Sequence, residues 1–80
     1  MSKEQEIIEG MLHRSWIFKG KTYVKGFALI DEIKDVDFTE EQAKIIVKKM
    51  IAKGFIKPCN TRWLNYIERQ TFVVLKEEVA

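Results

Sequence analysis

The sequence predicts an α+β fold, three helices followed by a small antiparallel β-hairpin, in one domain spanning residues 1–80. Three segments show the apolar spacing of helices, and two of them begin with the spacing of a capping box. Two later runs are rich in β-branched and aromatic residues. The 80 residues are 46% hydrophobic and include one cysteine, so no intrachain disulfide is possible, and the domain must rely on its hydrophobic core or on a partner subunit.

The first helix is predicted over residues 3–13. Ser2 and Gln5 have the spacing of a capping box, which satisfies backbone donors at a helix start. Apolar residues then recur along one helix face: Ile7, Ile8, Met11 and Leu12.

Extended chain follows, with one short strand at residues 21–24, because aromatic and β-branched residues are grouped there. Apolar spacing then predicts a second helix over residues 26–34. Four aromatic residues are assigned to the core: Trp16, Phe18, Phe27 and Phe72.

The third helix has the clearest boundaries. Thr39 and Gln42 form a second capping-box pattern, and Gly54 after Lys53 predicts a left-handed helix end. Its predicted buried stripe is Ala43, Ile46, Val47, Met50 and Ile51.

Two strands complete the predicted order. The first begins at Phe55, and Pro58 indicates an edge position because proline has no backbone N–H to donate. A polar loop contains Asn60 and Thr61, a second one is predicted at 68–70, and the run TFVVL then returns as the second strand.

The segment TEEQAKIIVKKMIAKGFIK joins a helix that ends at Lys-Gly to an apolar strand. It resembles the third helix and following strand of winged-helix domains. The resemblance covers about residues 3–75 and implies a helix-turn-helix carrying a β-wing. Because many functions occur on this fold, the fold alone implies none of them.

A second set of residues comprises Arg14, Trp16, Gly26, Leu29, Ile30, Asp31, Glu41, Ala43 and residues 54–56. These are similar in type and order to residues of DEP domains, which are winged-helix modules of signalling proteins that bind membranes or protein partners. The chain departs from that pattern at Glu32, where DEP domains usually have tryptophan.

Charge is segregated along the chain. Residues 1–43 carry a net charge of −3, residues 44–70 carry +6, and residues 71–80 carry −1, in a total of +2. The stretch 43–63 contains no acidic residue at all. This asymmetry predicts an electropositive face on a nearly neutral protein.

The third helix should present that face. Lys44 and Lys48 are one turn apart, Lys49 and Lys53 form a second outward pair, and basic and amide side chains continue into the predicted wing. Such a face suits duplex DNA, with the helix in the major groove and the wing along the phosphates or minor groove. The predicted nucleic-acid-binding residues are Lys44, Lys48, Lys49, Lys53, Lys57, Arg62, Trp63, Asn65 and Arg69.

Other interpretations stay open. The same face could bind an acidic protein or an anionic membrane, as a DEP-like or host-factor-binding module, or its lysines could simply keep the helix soluble. Glu40 and Glu41 at the helix start repel phosphates and would suit a protein partner. An adaptor acting through apolar edges, and a homodimer, are also open. Trp63 could stack on a sugar or base, whereas Tyr66 is assigned to cross-strand packing.

No catalytic, metal or cofactor site is predicted. His13 and Cys59 lie in different elements, with no third group placed to orient the histidine. The acidic turn at 35–39 lacks the later glycine and glutamate of a calcium loop. The polar N-terminus and the absence of an apolar run of ~20 residues indicate a soluble cytoplasmic protein. We therefore expect a small regulator, not an enzyme, with no small-molecule substrate.

Overall fold

The computed structural model describes residues 2–60 and 66–78. Within those ranges the chain is an α+β fold of three α-helices and a four-stranded antiparallel sheet. The elements are α1 (Lys3–His13), β1 (Trp16–Phe18), β2 (Lys21–Lys25), α2 (Gly26–Lys34), α3 (Glu40–Ala52), β3 (Ile56–Pro58), a short 3₁₀ helix (Ile67–Arg69) and β4 (Thr71–Val74). Among the described residues, no helix combines the length and apolar character that crossing a membrane requires.

The helix boundaries agree with the sequence prediction, and in α1 and α3 local capping bonds mark them. The Ser2 hydroxyl accepts a hydrogen bond from the Gln5 backbone N–H at 3.1 Å. Both bonds of the capping box between Thr39 and Gln42 are present at the start of α3. At the other end, Gly54 has a φ of 79°, and the Phe55 N–H donates to the Met50 carbonyl at 2.9 Å. This backbone reversal is a Schellman ending, which favours glycine at the left-handed position.

The strands are ordered β1-β2-β4-β3, all antiparallel. Pro58 therefore lies in an edge strand, as predicted. Because side chains alternate along a strand, each strand has one core-facing set and one outward set. Val24, Ile56 and Phe72 are buried on the face that the helices cover.

The N-terminal half of the sheet is larger than predicted. In place of one short strand, β1 and β2 form a hairpin in which Phe18 lies opposite Lys21. The two intervening residues, Lys19 and Gly20, have φ values of 51° and 79°, which is the two-residue turn that suits the twist of paired strands.

Three of the four aromatic core assignments are wrong. Phe72 is buried, but Trp16, Phe18 and Phe27 are 40%, 56% and 51% exposed. Trp16 and Phe18 belong to an edge strand that pairs only with β2, and they project from the sheet face opposite the helices. Phe27 lies on the solvent side of α2.

The predicted stripe of α3 is only partly buried. Ala43, Val47 and Met50 are in the core, whereas Ile46 and Ile51 are half-buried. Ile46 borders an open groove between α1 and α3, where nothing in the described chain covers it fully. Since Ile46 and Ile51 are the two edges of the predicted stripe, the buried face of α3 is narrower than predicted but has the predicted orientation.

The segment before β4 is a short 3₁₀ helix in place of an irregular loop, with Glu68 and Arg69 exposed as expected of a polar segment but Ile67 and Gln70 buried. Gln70 is 2% exposed, and its carbonyl accepts a hydrogen bond from the Gly26 N–H at 2.8 Å. A Cβ atom at Gly26 would lie 1.8 Å from the Ile67 carbonyl oxygen, so only glycine permits this close approach. Tyr66 precedes the 3₁₀ helix with an exposed side chain, so its assignment to cross-strand packing is wrong.

Candidate nucleic-acid interface

The solvent side of α3 carries exposed lysines around an exposed apolar residue. Ile45 is 54% exposed, and Lys48 and Lys49 are also exposed. At ~100° of rotation per residue, Lys48 and Lys49 lie on either side of Ile45. Lys44 lies about 40° beyond Lys48 on one flank, and Lys53 lies about 40° beyond Lys49 on the other, so the four lysines form two pairs, one on each side of Ile45.

One flank of α3 contacts the segment that returns to β4. The Lys44 ammonium lies 3.9 Å from the Glu68 carboxylate, and both side chains are partly exposed. The adjacent Arg69 guanidinium lies 5.4 Å from the centre of the Tyr66 ring. The segment therefore approaches α3 at Glu68, whereas a joint face that includes Arg69 stays a prediction.

The other flank of α3 borders an apolar groove against α1. Lys49 and Lys53 lie at its edge together with Glu4, and the groove has a volume of about 310 Å³. The Lys53 carbonyl also accepts a hydrogen bond from the Lys76 ammonium at 3.2 Å. In the described ranges, no carboxylate lies within 4.0 Å of Lys48, Lys49 or Lys53.

Lys57 does not join this face. It lies in β3 directly opposite Val73, and it is exposed on the outer side of the sheet, whereas its neighbour Ile56 is buried beneath the helices. The sheet therefore separates Lys57 from the lysines of α3. Three further predicted residues, Arg62, Trp63 and Asn65, lie outside the described residues.

Acidic residues limit the positive surface at the start of α3. Glu40 and Glu41 are exposed in its first turn. The positive end of the helix dipole stabilises these two carboxylates, but the carboxylates would repel a phosphate brought to that end. The positive part of α3 therefore extends from Lys44 to Lys53.

The outer face of the sheet carries an aromatic surface that was not predicted from the sequence. The Trp16 and Tyr23 rings are stacked, with centroids 5.8 Å apart and planes at 24°. The Lys25 ammonium lies 5.7 Å from the Trp16 ring centre and donates to the Thr71 hydroxyl at 3.2 Å. The sequence did contain a signal for this surface: aromatic residues alternate with other residues on both sides of Lys19-Gly20, which is the pattern of a hairpin with two different faces.

Two residues of the DEP-like set contact each other. Arg14 forms an ion pair with Asp31 at 3.3 Å and also donates to the Ala28 carbonyl at 3.4 Å. These bonds tie the end of α1 to α2, which is a structural role. Among residues 2–60 and 66–78, no group of three or more His, Cys, Asp or Glu side chains is placed to hold a metal ion.

Comparisons with protein-family models, with curated proteins and with solved structures found no match for this chain. A function for this chain is therefore inferred from the geometry and charge of its described residues.

Proposed function

We propose that this chain is a winged-helix domain that binds duplex DNA, and that α3 is its main contact element. The connectivity supports the architecture: β2 leads into α2, a short turn joins α2 to α3, and β3 and β4 pair as a hairpin beside β2. A helix pair of this kind, followed by a β-hairpin, commonly presents its second helix to the major groove.

The observation that carries the proposal is the outward face of α3. Lys48 and Lys49 are exposed there, and no described carboxylate pairs with them. Placing like charges along one helix face costs free energy in the isolated protein, because they repel each other. A polyanion removes that cost and releases counterions when it binds.

The same geometry favours phosphate contacts over base recognition. Glu40 and Glu41 occupy the first turn of α3, where a helix commonly approaches base edges. The lysines begin one turn later. Lysine is a flexible point charge that suits phosphates, so we expect a large, sequence-independent contribution to affinity.

A salt titration tests the proposal. Binding of a fluorescently labelled mixed-sequence duplex of about 20 base pairs is measured by anisotropy at several salt concentrations, and the slope of log affinity against log salt should be about −0.9 per phosphate contacted. Lys48→Ala and Lys49→Ala should each weaken binding for all sequences and make the slope shallower by about one.

Lys34→Ala is the matched control, because Lys34 is an exposed lysine in the last turn of α2 and belongs to a different helix from the α3 lysines. It should change little. Arg62→Ala tests the wing separately. If duplex DNA shows no salt-sensitive binding while anionic vesicles or an acidic protein do bind, the alternative function as an interaction module is correct.

A further inference from the structure

We propose that the outer face of the sheet is a second binding surface, and that its ligand is single-stranded nucleic acid. The register places four residues in one cross-strand row: Trp16 opposite Tyr23, Tyr23 opposite Val73, and Val73 opposite Lys57. The row crosses all four strands on the face that the helices leave uncovered.

The row has a large gap at its centre. Val73 is small, so the Tyr23 ring and the Lys57 side chain stand apart above it and border an open depression of about 1020 Å³. On its other side the Tyr23 ring stacks against Trp16, which fixes its orientation. A fixed ring beside an open space can stack on an unpaired base, an interaction that tolerates any base because each base has a flat aromatic face.

Lysines surround these rings. Lys21 and Lys57 border the depression, and Lys25 lies over Trp16 on the same face. Lys76 also borders the depression, as do two acids, Glu77 and Glu78. The strands themselves contribute only positive charge to this face. Alternating rings and cations match the alternating bases and phosphates of a single strand.

A duplex fits this surface poorly, because its bases are stacked within the helix and are out of reach of the rings. A second copy of the chain fits less well than a polyanion, because the strand lysines of two such faces would repel each other. The ligand class is therefore an unpaired strand of DNA or RNA, recognised mainly by stacking and phosphate contacts.

The test compares labelled single-stranded oligonucleotides, a 15-mer of dT and a 15-mer of U, with a 15-base-pair duplex. Tyr23→Leu removes the stacking ring, and affinity for both single strands should fall about tenfold or more. Lys57→Glu should weaken binding of both single strands and reduce its salt dependence, and it should leave the core unchanged because Lys57 is exposed. Ile17→Ala is the matched control, because Ile17 is 76% exposed and projects from β1 away from Trp16.

The variants of α3 separate this proposal from the one above. Lys48→Ala and Lys49→Ala should leave single-strand binding intact whether or not they weaken duplex binding, so the two proposals can fail independently. Unchanged single-strand affinity in a folded Tyr23→Leu or Lys57→Glu variant would refute the proposal. So would a reversible dimer, measured by sedimentation equilibrium, that Tyr23→Leu dissociates, because a second copy would then occupy this face.

Discussion

The ammonium of Lys44 lies 3.9 Å from the carboxylate of Glu68, and this contact joins α3 to the segment that precedes β4. Glu68 is the one acidic residue between positions 44 and 70. The single acidic side chain of this basic stretch therefore pairs with one of the stretch's own lysines. Since both side chains are partly exposed, the pair contributes at most about 1 kcal/mol to stability. It reduces the positive potential of α3 more than it holds the fold together.

Glu68→Gln should strengthen duplex binding. Removing the carboxylate leaves Lys44 available to a phosphate, so affinity should rise by up to about fivefold, which corresponds to about 1 kcal/mol. The slope against log salt should become steeper, and the free energy of unfolding should change by less than about 1 kcal/mol. Glu9→Gln, at an exposed position of α1, controls for the change in net charge. Equal gains in both variants would show that the position of the charge is irrelevant.

Leu29→Ala should destabilise the domain strongly. Leu29 is completely buried, and removing such a side chain costs about 2–5 kcal/mol, because a cavity remains. Ile46→Ala should cost less than half as much, since Ile46 borders the open groove and water can fill the space. Urea denaturation measures both losses. A larger loss for Ile46→Ala would mean that Ile46 is packed in the core, as the sequence predicted, and does not border an open groove.

Gly26→Ala should be among the most damaging single changes. The added Cβ atom would meet the backbone oxygen of Ile67, which cannot move without separating the 3₁₀ helix from α2. We expect a loss of about 3 kcal/mol or more, at the upper end for overpacking.

Gly10→Ala provides the contrast to Gly26→Ala. There the Cβ atom would meet only the flexible end of the Glu32 side chain, 2.8 Å away. Because alanine favours a helix interior over glycine by about 1 kcal/mol, this variant should be neutral or more stable. Thermal unfolding, monitored by circular dichroism, compares the stability of the two variants. Equal losses of stability would contradict the close approach at Gly26.

Cys59→Ser should leave stability and binding nearly unchanged. Cys59 is exposed and free, and the hydrogen bond that it donates to the Thr71 carbonyl at 2.9 Å comes from its backbone N–H, which serine retains. The native thiol should react at once with a thiol reagent in the folded protein. A disulfide-linked dimer in freshly isolated protein, seen by non-reducing electrophoresis, would contradict this.

Local chemistry in the sequence determined where the helices begin and end. The capping residues Ser2 and Thr39, and Gly54 at the end of α3, satisfy backbone groups within a few residues of themselves. Such bonds depend on neighbours in sequence, so the start of α1 and both ends of α3 could be predicted from them. The second helix, at 26–34, has no side-chain cap and was predicted from its apolar spacing. The edge position of β3 could also be predicted, because Pro58 lacks a donor.

Tertiary structure decided which faces these elements present. The sequence placed nine residues on one binding face, but whether two side chains share a face depends on strand pairing and helix rotation across long separations. The pairing of β3 with β4 puts Lys57 on the far side of the sheet from α3, and the pairing of β1 with β2 brings Trp16 out of the expected core to stack on Tyr23. Composition could show that the chain is rich in lysines and aromatic rings. Only the register of the sheet could show that some of them meet, because one residue of slip moves every side chain to the opposite face.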